Sequence, residues 1–484
     1  MIPIVTPTEM SAIDAAAPVP TDVLVARAGA EVAIAARRML GGTYGRRVLV
    51  ATGKGNNGAD GRVAASVLAR WGVRCGVATP PGALELVVAA HGRSCAPWDL
   101  VIDAAYGTGL RGPWGADQAP QVPVLAVDIP SGIDALTGAD HGCWPAAATV
   151  TFGALKPGLL LPPGTTAAGE VQVAPIGLDA TSAAAWLMTD ADADAVLPTL
   201  PPSTYKWRRA VRVIAGSPQM RGAGHLVCAG AQQAGAGMVV ISSPGLAAAS
   251  VSRPTETVAR NLRPGRWAAA ALDGIDRFDA AVIGPGIGVD PTSAAQMAAF
   301  IESCPVPLVV DADALAAVAE HPDCLRARTA ATVLTPHDGE FTRLTGAAPA
   351  ADRFGSVRQA AADLGAVVLA KGPTTLVASP VRPDASTRPA AVLAVTAGTA
   401  RLATAGSGDV LSGVIAASLS GDAADPETLL SLVAAAAHWH GRTASCEAAG
   451  PAAALVPLLA AAQVDLLEAA RIELARSQPD RRRP

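Results

Sequence analysis

Short apolar runs alternate along this chain with longer Ala-rich stretches, and the pattern occurs twice. In the first half the runs cover residues 47–51, 74–78, 100–103, 124–128 and 148–152. In the second half they cover 211–215, 238–242, 280–283, 308–311, 332–335, 366–370 and 375–378. Nearly continuous apolar runs of this length predict strands buried on both faces of mainly parallel sheets, with the intervening stretches as covering helices. The fold class is therefore α/β. Several runs end in Gly or Asp, and ligands bind such sheets outside the carboxyl ends of the strands.

Residues 179–207 break the alternation. They hold the run DADAD (190–194) and then Pro198, Pro201 and Pro202, a composition that reads as a linker with its boundary near Leu200. Two domains follow, 1–198 and 199–484. The 484 residues are ample for two cores.

Composition narrows the function classes. With 50% hydrophobic and 16% charged residues, global disorder is excluded. Lys+Arg is 37 against Asp+Glu 41, a net charge of −4, which argues against a nucleic-acid surface or a polybasic membrane patch. Mean hydropathy is +0.34. However, the longest stretch without a charged residue, 222–252, is broken by Gly224, Gly230, Gly235, Gly237, Pro244 and Gly245, unlike a lipid-exposed helix. Glu9 and Asp14 precede the first basic residue, Arg27, the reverse of a secretory leader, so a cytoplasmic protein is expected. The cysteines (75, 95, 143, 228, 304, 324 and 446) form no CxxC pair and read as reduced thiols.

In the first half, the run 47–51 leads into TGKGNNGADG (52–61) and an amphipathic helical stretch. Such a turn gathers backbone N–H groups at a helix N-terminus, a place suited to an anion, although a tight turn with no ligand has the same form. The acidic residue that a dinucleotide fold carries some twenty positions on is absent from 73–80, which disfavours a conventional NAD dehydrogenase. Asn56 and Asn57 offer amide oxygens to a cation or hydrogen bonds to a ligand amide. Asp103 and Asp128 end strand-like runs, and Ser131 follows closely. Oxygens from several strand ends can hold a hard cation, whereas a single such Asp is often only a turn former.

These residues resemble the NAD(P)H-hydrate epimerase family of the YjeF N-terminal type. The shared features are GNNGADG, with Ala59 in place of a family Gly, together with EMSAID, LVARAGA, DAAYGTGLRG, DIPSGIDALTG and TFGALKPGLL, in order across nearly all of residues 1–178. The resemblance implies a Rossmann-like three-layer α/β/α domain. It implies that Asn56, Asn57, Gly58, Ala59, Asp60, Gly107, Thr108, Gly109, Leu110, Arg111, Gly112 and Pro113 hold a hydrated nicotinamide nucleotide. It further implies that Asn57, Asp103 and Ser131 bind potassium, and that Asp128 contacts the hydrate as acid/base.

In the second half the informative string is TAGTARLATAGSGDVLSGVIAA (396–417). Its glycines let backbone N–H groups crowd an oxyanion at a helix start, and the carboxylate of Asp409 beside them can take a proton from a hydroxyl nucleophile during phosphoryl transfer. An N-cap Asp is the bland alternative. KGPTT (371–375), GPGIG (284–288) and TPHDGE (335–340) also stand at strand ends, and no Walker A motif occurs.

This half looks like the ribokinase-like superfamily. More narrowly it resembles ADP-dependent NAD(P)H-hydrate dehydratase, through VIAGSPQMRGAGHL, AGAGMV, GPGIG, TPHDGE, KGPTT and AGSGDVLSG over about residues 205–447. The resemblance implies that Ala223, Gly286, His337 and Asp409 contact the hydrate. Lys371, Gly372, Pro373, Thr374, Thr375 and Gly408 would contact the adenine nucleotide. Asp409 is expected to serve as the catalytic base, with magnesium assisting.

The expected activity is repair of the hydrates of NADH and NADPH (NADHX and NADPHX). The first domain interconverts the two epimers. The second transfers the terminal phosphoryl group of ADP, as co-substrate, to the ring hydroxyl and eliminates phosphate, leaving AMP. A homo-oligomer is expected, with no nucleic acid and no membrane as partner. A ribokinase-like small-molecule (vitamin-precursor) kinase carrying a non-catalytic N-terminal binding domain is the rival reading.

Overall fold

The structure, a computed structural model, describes residues 1–88, 90, 97–110, 112–114, 118–198, 202–380, 391–419, 426–445, 452 and 454–459. Arg111, Leu200, Cys95 and Cys446 lie outside the described residues. The chain forms two compact units that part between Ala185 and Trp186.

In the first unit every apolar run becomes a strand. Six strands pair in parallel in the order Arg74–Ala78, Arg47–Thr52, Leu100–Ala104, Val124–Val127, Ala148–Phe152, Glu170–Ala174. The last of these was not read from the sequence, because its sequence, EVQVA, is only half apolar. Successive side chains of one strand serve opposite cores. Val48 and Val50 pack with Leu24, Val32 and Leu68 from the helices Thr21–Leu40 and Asn56–Arg70. Leu49 and Ala51 pack with Ala83, Val87, Trp114 and Trp144 on the other face. Both faces are thus covered, which is why the runs are apolar without alternation. Each fully buried Val or Leu contributes about 1.5–3 kcal/mol relative to exposure. The result is the expected α/β/α sandwich.

The second unit carries a larger sheet. Its strands run in the order Ala185–Leu187, Val392–Val395, Thr375–Ala378, Val367–Ala370, Thr332–Leu334, Leu308–Val310, Ala280–Ile283, Ala210–Ile214, Met238–Ser242, Val258–Ala259. Thr375–Ala378 is antiparallel to both neighbours, and the remaining pairs from Val367–Ala370 to Val258–Ala259 are parallel. The uncharged stretch 222–252 resolves into the helix Arg221–Gln233 and the buried strand Met238–Ser242. Among the described residues no helix is long and apolar enough to cross a membrane.

Part of the segment read as a linker takes regular structure. Its acidic run forms the helix Asp190–Val196, capped by Thr189 and Asp192 in a reciprocal box. Negative charge suits a helix N-terminus. Asp190 Oδ1 lies 2.7 Å from His438 Nε2 on the helix Pro426–Thr443, which ties this piece to the second unit. Composition alone could not show that partner.

Candidate active sites

In the first sheet, the strand Arg47–Thr52 is flanked by a later strand on each side. Chain order therefore reverses between Arg47–Thr52 and Leu100–Ala104, and a crevice opens outside their carboxyl ends. The glycine-rich turn enters this crevice. The Gly53 N–H donates to the Ala104 carbonyl at 3.0 Å. A Cβ on Gly53 would lie 1.8 Å from the Ala105 carbonyl oxygen, and one on Gly58 2.0 Å from the Gly53 oxygen. Neither position has room for a side chain. The helix starts at Asn56, earlier than the amphipathic stretch indicated, so Asn57 and Asp60 belong to its first turns. Ala59 sits within that helix, where an alanine meets no backbone strain.

A cavity of about 680 Å³ occupies the crevice. Asn56, Asn57, Asp60, Gly107, Thr108, Gly109, Leu110 and Asp128 line it, together with Asp14, Tyr106 and Lys156. Gly58, Ala59, Gly112 and Pro113 are not on its wall. Asp128 holds a left-handed backbone, φ 68°, rare for a residue with a side chain and a mark of functional strain. Its Oδ1 pairs with the Lys156 ammonium and accepts a hydrogen bond from Thr151 Oγ1 at 3.1 Å. Lys156 is itself buried and donates to Thr151 Oγ1 at 2.8 Å. Sequence reasoning missed Lys156 and Thr151. A lysine inside the apolar string TFGALKPGLL was the available signal.

Behind the wall, fully buried Asp103 accepts from Ser131 Oγ at 2.6 Å and from the Ser131 N–H at 2.8 Å. Burial pushes the Asp103 carboxyl above its usual range, and the Ser131 bonds oppose the rise. Ser131 Oγ also accepts the Tyr106 N–H at 2.9 Å. The next residue, Gly107, is the neighbour of Asn57: a Cβ there would lie 3.6 Å from Asn57 Cβ. The Asn57 amide is buried with neither its oxygen nor its nitrogen hydrogen-bonded. A buried orphan acceptor and a desolvated carboxylate are oxygen donors of the kind that a bound cation would complete.

In the second sheet the chain order reverses between Ala210–Ile214 and Ala280–Ile283. There the Gly216 N–H donates to the Pro285 carbonyl at 2.7 Å. A Cβ on Gly286 (φ 68°) would lie 2.9 Å from that of Ala223, so these two expected hydrate contacts are adjacent. The helix Arg221–Gln233, which carries Ala223, packs directly on the helix Ser407–Leu419. A Cβ on Gly413 would lie 2.1 Å from the Val227 carbonyl oxygen, and one on Gly230 2.4 Å from that of Val410.

The start of Ser407–Leu419 meets a charged cluster. Lys371 Nζ lies 3.0 Å from Asp311 Oδ1 and 3.8 Å from Glu340 Oε2. Ser412 Oγ donates to Asp311 Oδ2 at 2.7 Å, and a Cβ on Gly408 would lie 3.5 Å from Lys371 Nζ. Although burial pushes Asp311 up, Lys371, Ser412 and Thr335 together hold it below the usual carboxylate range. Burial raises Asp409 to about 7; Asp311 and Asp313 add to the rise and Lys371 opposes it. Asp409 is thus poised to exchange a proton near neutrality.

The structure therefore brings Lys371, Gly408 and Asp409 together. Thr374 is buried at the same strand end, whereas Gly372 and Pro373 are exposed. His337 is the N-cap of the helix Asp338–Thr345: its Nδ1 accepts from the Gly339 and Glu340 N–H groups, and its Nε2 lies 3.5 Å from Glu340 Oε1. Asp311, Glu340 and Ser412 were not found from the sequence, since each is defined by a partner distant in the chain.

Two families match in tandem. The one described as YjeF-related protein N-terminus matches residues 21–158, and the one described as NAD(P)H-hydrate dehydratase matches 211–464. The bifunctional NAD(P)H-hydrate repair enzyme Nnr of Mycobacterium tuberculosis is 41% identical over 400 residues, 78% of this chain and 80% of that protein. The enzyme of that name from Mycobacterium leprae is 37% identical over 467 residues, 91% of this chain and 93% of the other. The crystal structure of ADP/ATP-dependent NAD(P)H-hydrate dehydratase from Bacillus subtilis aligns with 57% of this chain and 97% of its own, at 25% identity and a TM-score of 0.45.

Proposed function

The chain belongs to the bifunctional NAD(P)H-hydrate repair enzymes, and from that premise we propose how its two units divide the work. The protein epimerises the hydrates of NADH and NADPH and dehydrates one epimer back to the reduced coenzyme, consuming ADP. The first unit's cavity takes the hydrated ring, with Asn56, Asn57, Asp60 and the 107–110 loop around it and Asp128 as acid/base at the hydrated carbon. Lys156 and Thr151 orient the Asp128 carboxylate. Asn57, Asp103 and Ser131 would hold potassium, whose charge would offset the buried Asp103 carboxylate and engage the orphan Asn57 amide oxygen.

In the second unit, the ring hydroxyl of the hydrate approaches Asp409 from the side of Ala223 and Gly286. Asp409 takes the hydroxyl proton as the terminal phosphoryl group of ADP arrives at the glycine-lined start of Ser407–Leu419. Backbone N–H groups there meet the transferring oxyanion. The new phosphate ester is a far better leaving group than hydroxide; the ring nitrogen expels it, and loss of a proton from the adjacent ring carbon restores the ring double bond of the reduced coenzyme. Lys371, held by Asp311 and Glu340, stands at the nucleotide end with Gly372, Pro373, Thr374, Thr375 and Gly408. Among the described residues no three His, Cys, Asp or Glu groups form a metal cluster. Magnesium would be held by the nucleotide phosphates, and its charge there would assist transfer.

The observation that carries this reading is Asp409, with a proton affinity near neutrality, at a glycine-rich helix start beside Lys371. Product analysis tests it. The (S)-hydrate of NADH with ADP gives AMP and inorganic phosphate in step with NADH, and accumulation of a stable phosphorylated hydrate would make the protein a kinase instead.

A further inference from the structure

Besides Asp128 and the exposed Asp14, the cavity of the first unit holds a third carboxyl group in a different setting. Asp60 is 6% exposed, yet it lines the cavity. Its carboxyl group makes no hydrogen bond or ion pair with the described residues. Asp128, by contrast, has Lys156 and Thr151 on one oxygen. The two come from different elements: Asp60 from the helix Asn56–Arg70, Asp128 from the turn after Val124–Val127. Inverting a hydrated carbon requires a proton donor to the departing oxygen and a proton acceptor for the water that replaces it. One paired carboxyl group and one buried, unpartnered carboxyl group on the same cavity supply that asymmetry, whereas Asp14, the remaining carboxyl on the wall, is exposed.

We infer that Asp60 is the general acid of the epimerisation, working with Asp128 as the general base. The inference rests on the reading that this cavity epimerises the hydrate. The Asp60 carboxyl gives its proton to the ring hydroxyl. The carbon–oxygen bond breaks, with its electron pair leaving on the water formed, and the lone pair of the ring nitrogen closes a carbon–nitrogen double bond. A water molecule adds to the other face of the carbon and passes a proton to Asp128. One water leaves and one enters, and the proton moved from Asp60 to Asp128 returns through solvent.

The charged surroundings agree. Burial raises Asp60 to about 8; Asp128 and Asp14 (from the helix Pro7–Ala15) add to the rise, and Arg62 on its own helix opposes it. Lys54, Tyr106 and Lys156 are the other titratable groups on the cavity wall, and the packed helix Thr21–Leu40 contributes only Thr21, Leu24, Val25 and Ala28. Asp60 therefore keeps its proton at neutral pH and loses it as the pH rises through about 8.

The test follows interconversion of the pure epimers by NMR with the full chain and no ADP, so that dehydration is silent. Asp60→Asn is expected to lower the turnover rate by about a hundred- to ten-thousand-fold with little change in KM. In the parent, kcat/KM falls above about pH 8, and in the residual activity of Asp60→Asn that fall is absent. Asp60→Glu retains an acid and is expected to recover part of the rate together with the alkaline fall, which separates a chemical role from a structural one. Turnover by Asp60→Asn within about threefold of the parent, or a parent profile flat through this range, overturns the inference. Asp128→Asn separates the two levels. If it too leaves interconversion unchanged, the reading of the cavity itself fails; if it slows interconversion while Asp60→Asn does not, only the role of Asp60 is lost.

Discussion

Burial and, after it, two neighbouring carboxylates raise the proton affinity of Asp409, and this gives the dehydration a pH signature. Asp409 acts as a base and must be ionised. Its raised pKa of about 7 means that it is mostly protonated on the acid side. The rate of dehydration of the (S)-hydrate is therefore expected to climb as the pH rises through about 7 and then level off, checked by kcat/KM from mildly acidic to mildly alkaline buffer. Asp409→Asn is expected to lower it by about 10²–10⁴ and to remove the climb. A parent profile without the climb contradicts the assignment. The Asp311–Lys371 pair makes a separate prediction about stability. Asp311 is 2% exposed. Lys371→Met leaves it with only hydroxyl partners, and removing one member of a buried pair costs about 3–5 kcal/mol. Urea unfolding of the second unit should show that loss, and Lys371→Met/Asp311→Asn should regain most of it. An unchanged midpoint in the single variant would show that the pair is not a determinant of stability.

At the level of elements, the helices Arg221–Gln233 and Ser407–Leu419 touch backbone to backbone because Gly230 and Gly413 have no side chains. One helix carries Ala223 and the other Asp409, so their spacing sets the width of the site. Gly413→Ala places a Cβ 2.1 Å from the Val227 oxygen and forces the helices apart. The expected outcome is a loss of about 1–3 kcal/mol by thermal or urea unfolding, with slower dehydration and unchanged epimerisation. Normal dehydration and an unchanged midpoint contradict it.

The same contact shows what was legible in the sequence. The apolar runs marked nearly all the central strands, because strands buried on both faces carry their signature locally. The glycines of 222–252 excluded a membrane helix, but their use as a packing surface needed the partner helix. The acidic run 190–194 read as a linker because its cap is local while its dock, His438, lies far along the chain. Asn57, Asp128 and Asp409 were visible through glycine-rich turns. Lys156 and Asp311 were not, since a charge in an apolar string shows no partner until the sheet brings one. His337 stood out as a candidate ligand contact, and the structure also gives it a capping role.

At the scale of the molecule, the two units answer one chemical problem. Spontaneous hydration gives both epimers, a phosphoryl-transfer pocket accepts one, and an epimerase on the same chain returns the other. Potassium belongs to the first unit alone in this account. Replacing it with a larger organic cation should slow epimer interconversion, measured without ADP, and leave dehydration of pure (S)-hydrate unchanged; equal loss of both activities would place the ion elsewhere. The most direct test of the whole is recovery of absorbance at the reduced-nicotinamide band, starting from mixed-epimer hydrate with ADP. The unaltered chain should restore all of the material in one fast phase. Asp128→Asn should restore about half quickly and the rest at the slow spontaneous rate, and Asp409→Ala should restore none. Complete fast recovery by Asp409→Ala, or by the unaltered chain without any nucleotide, would contradict the account.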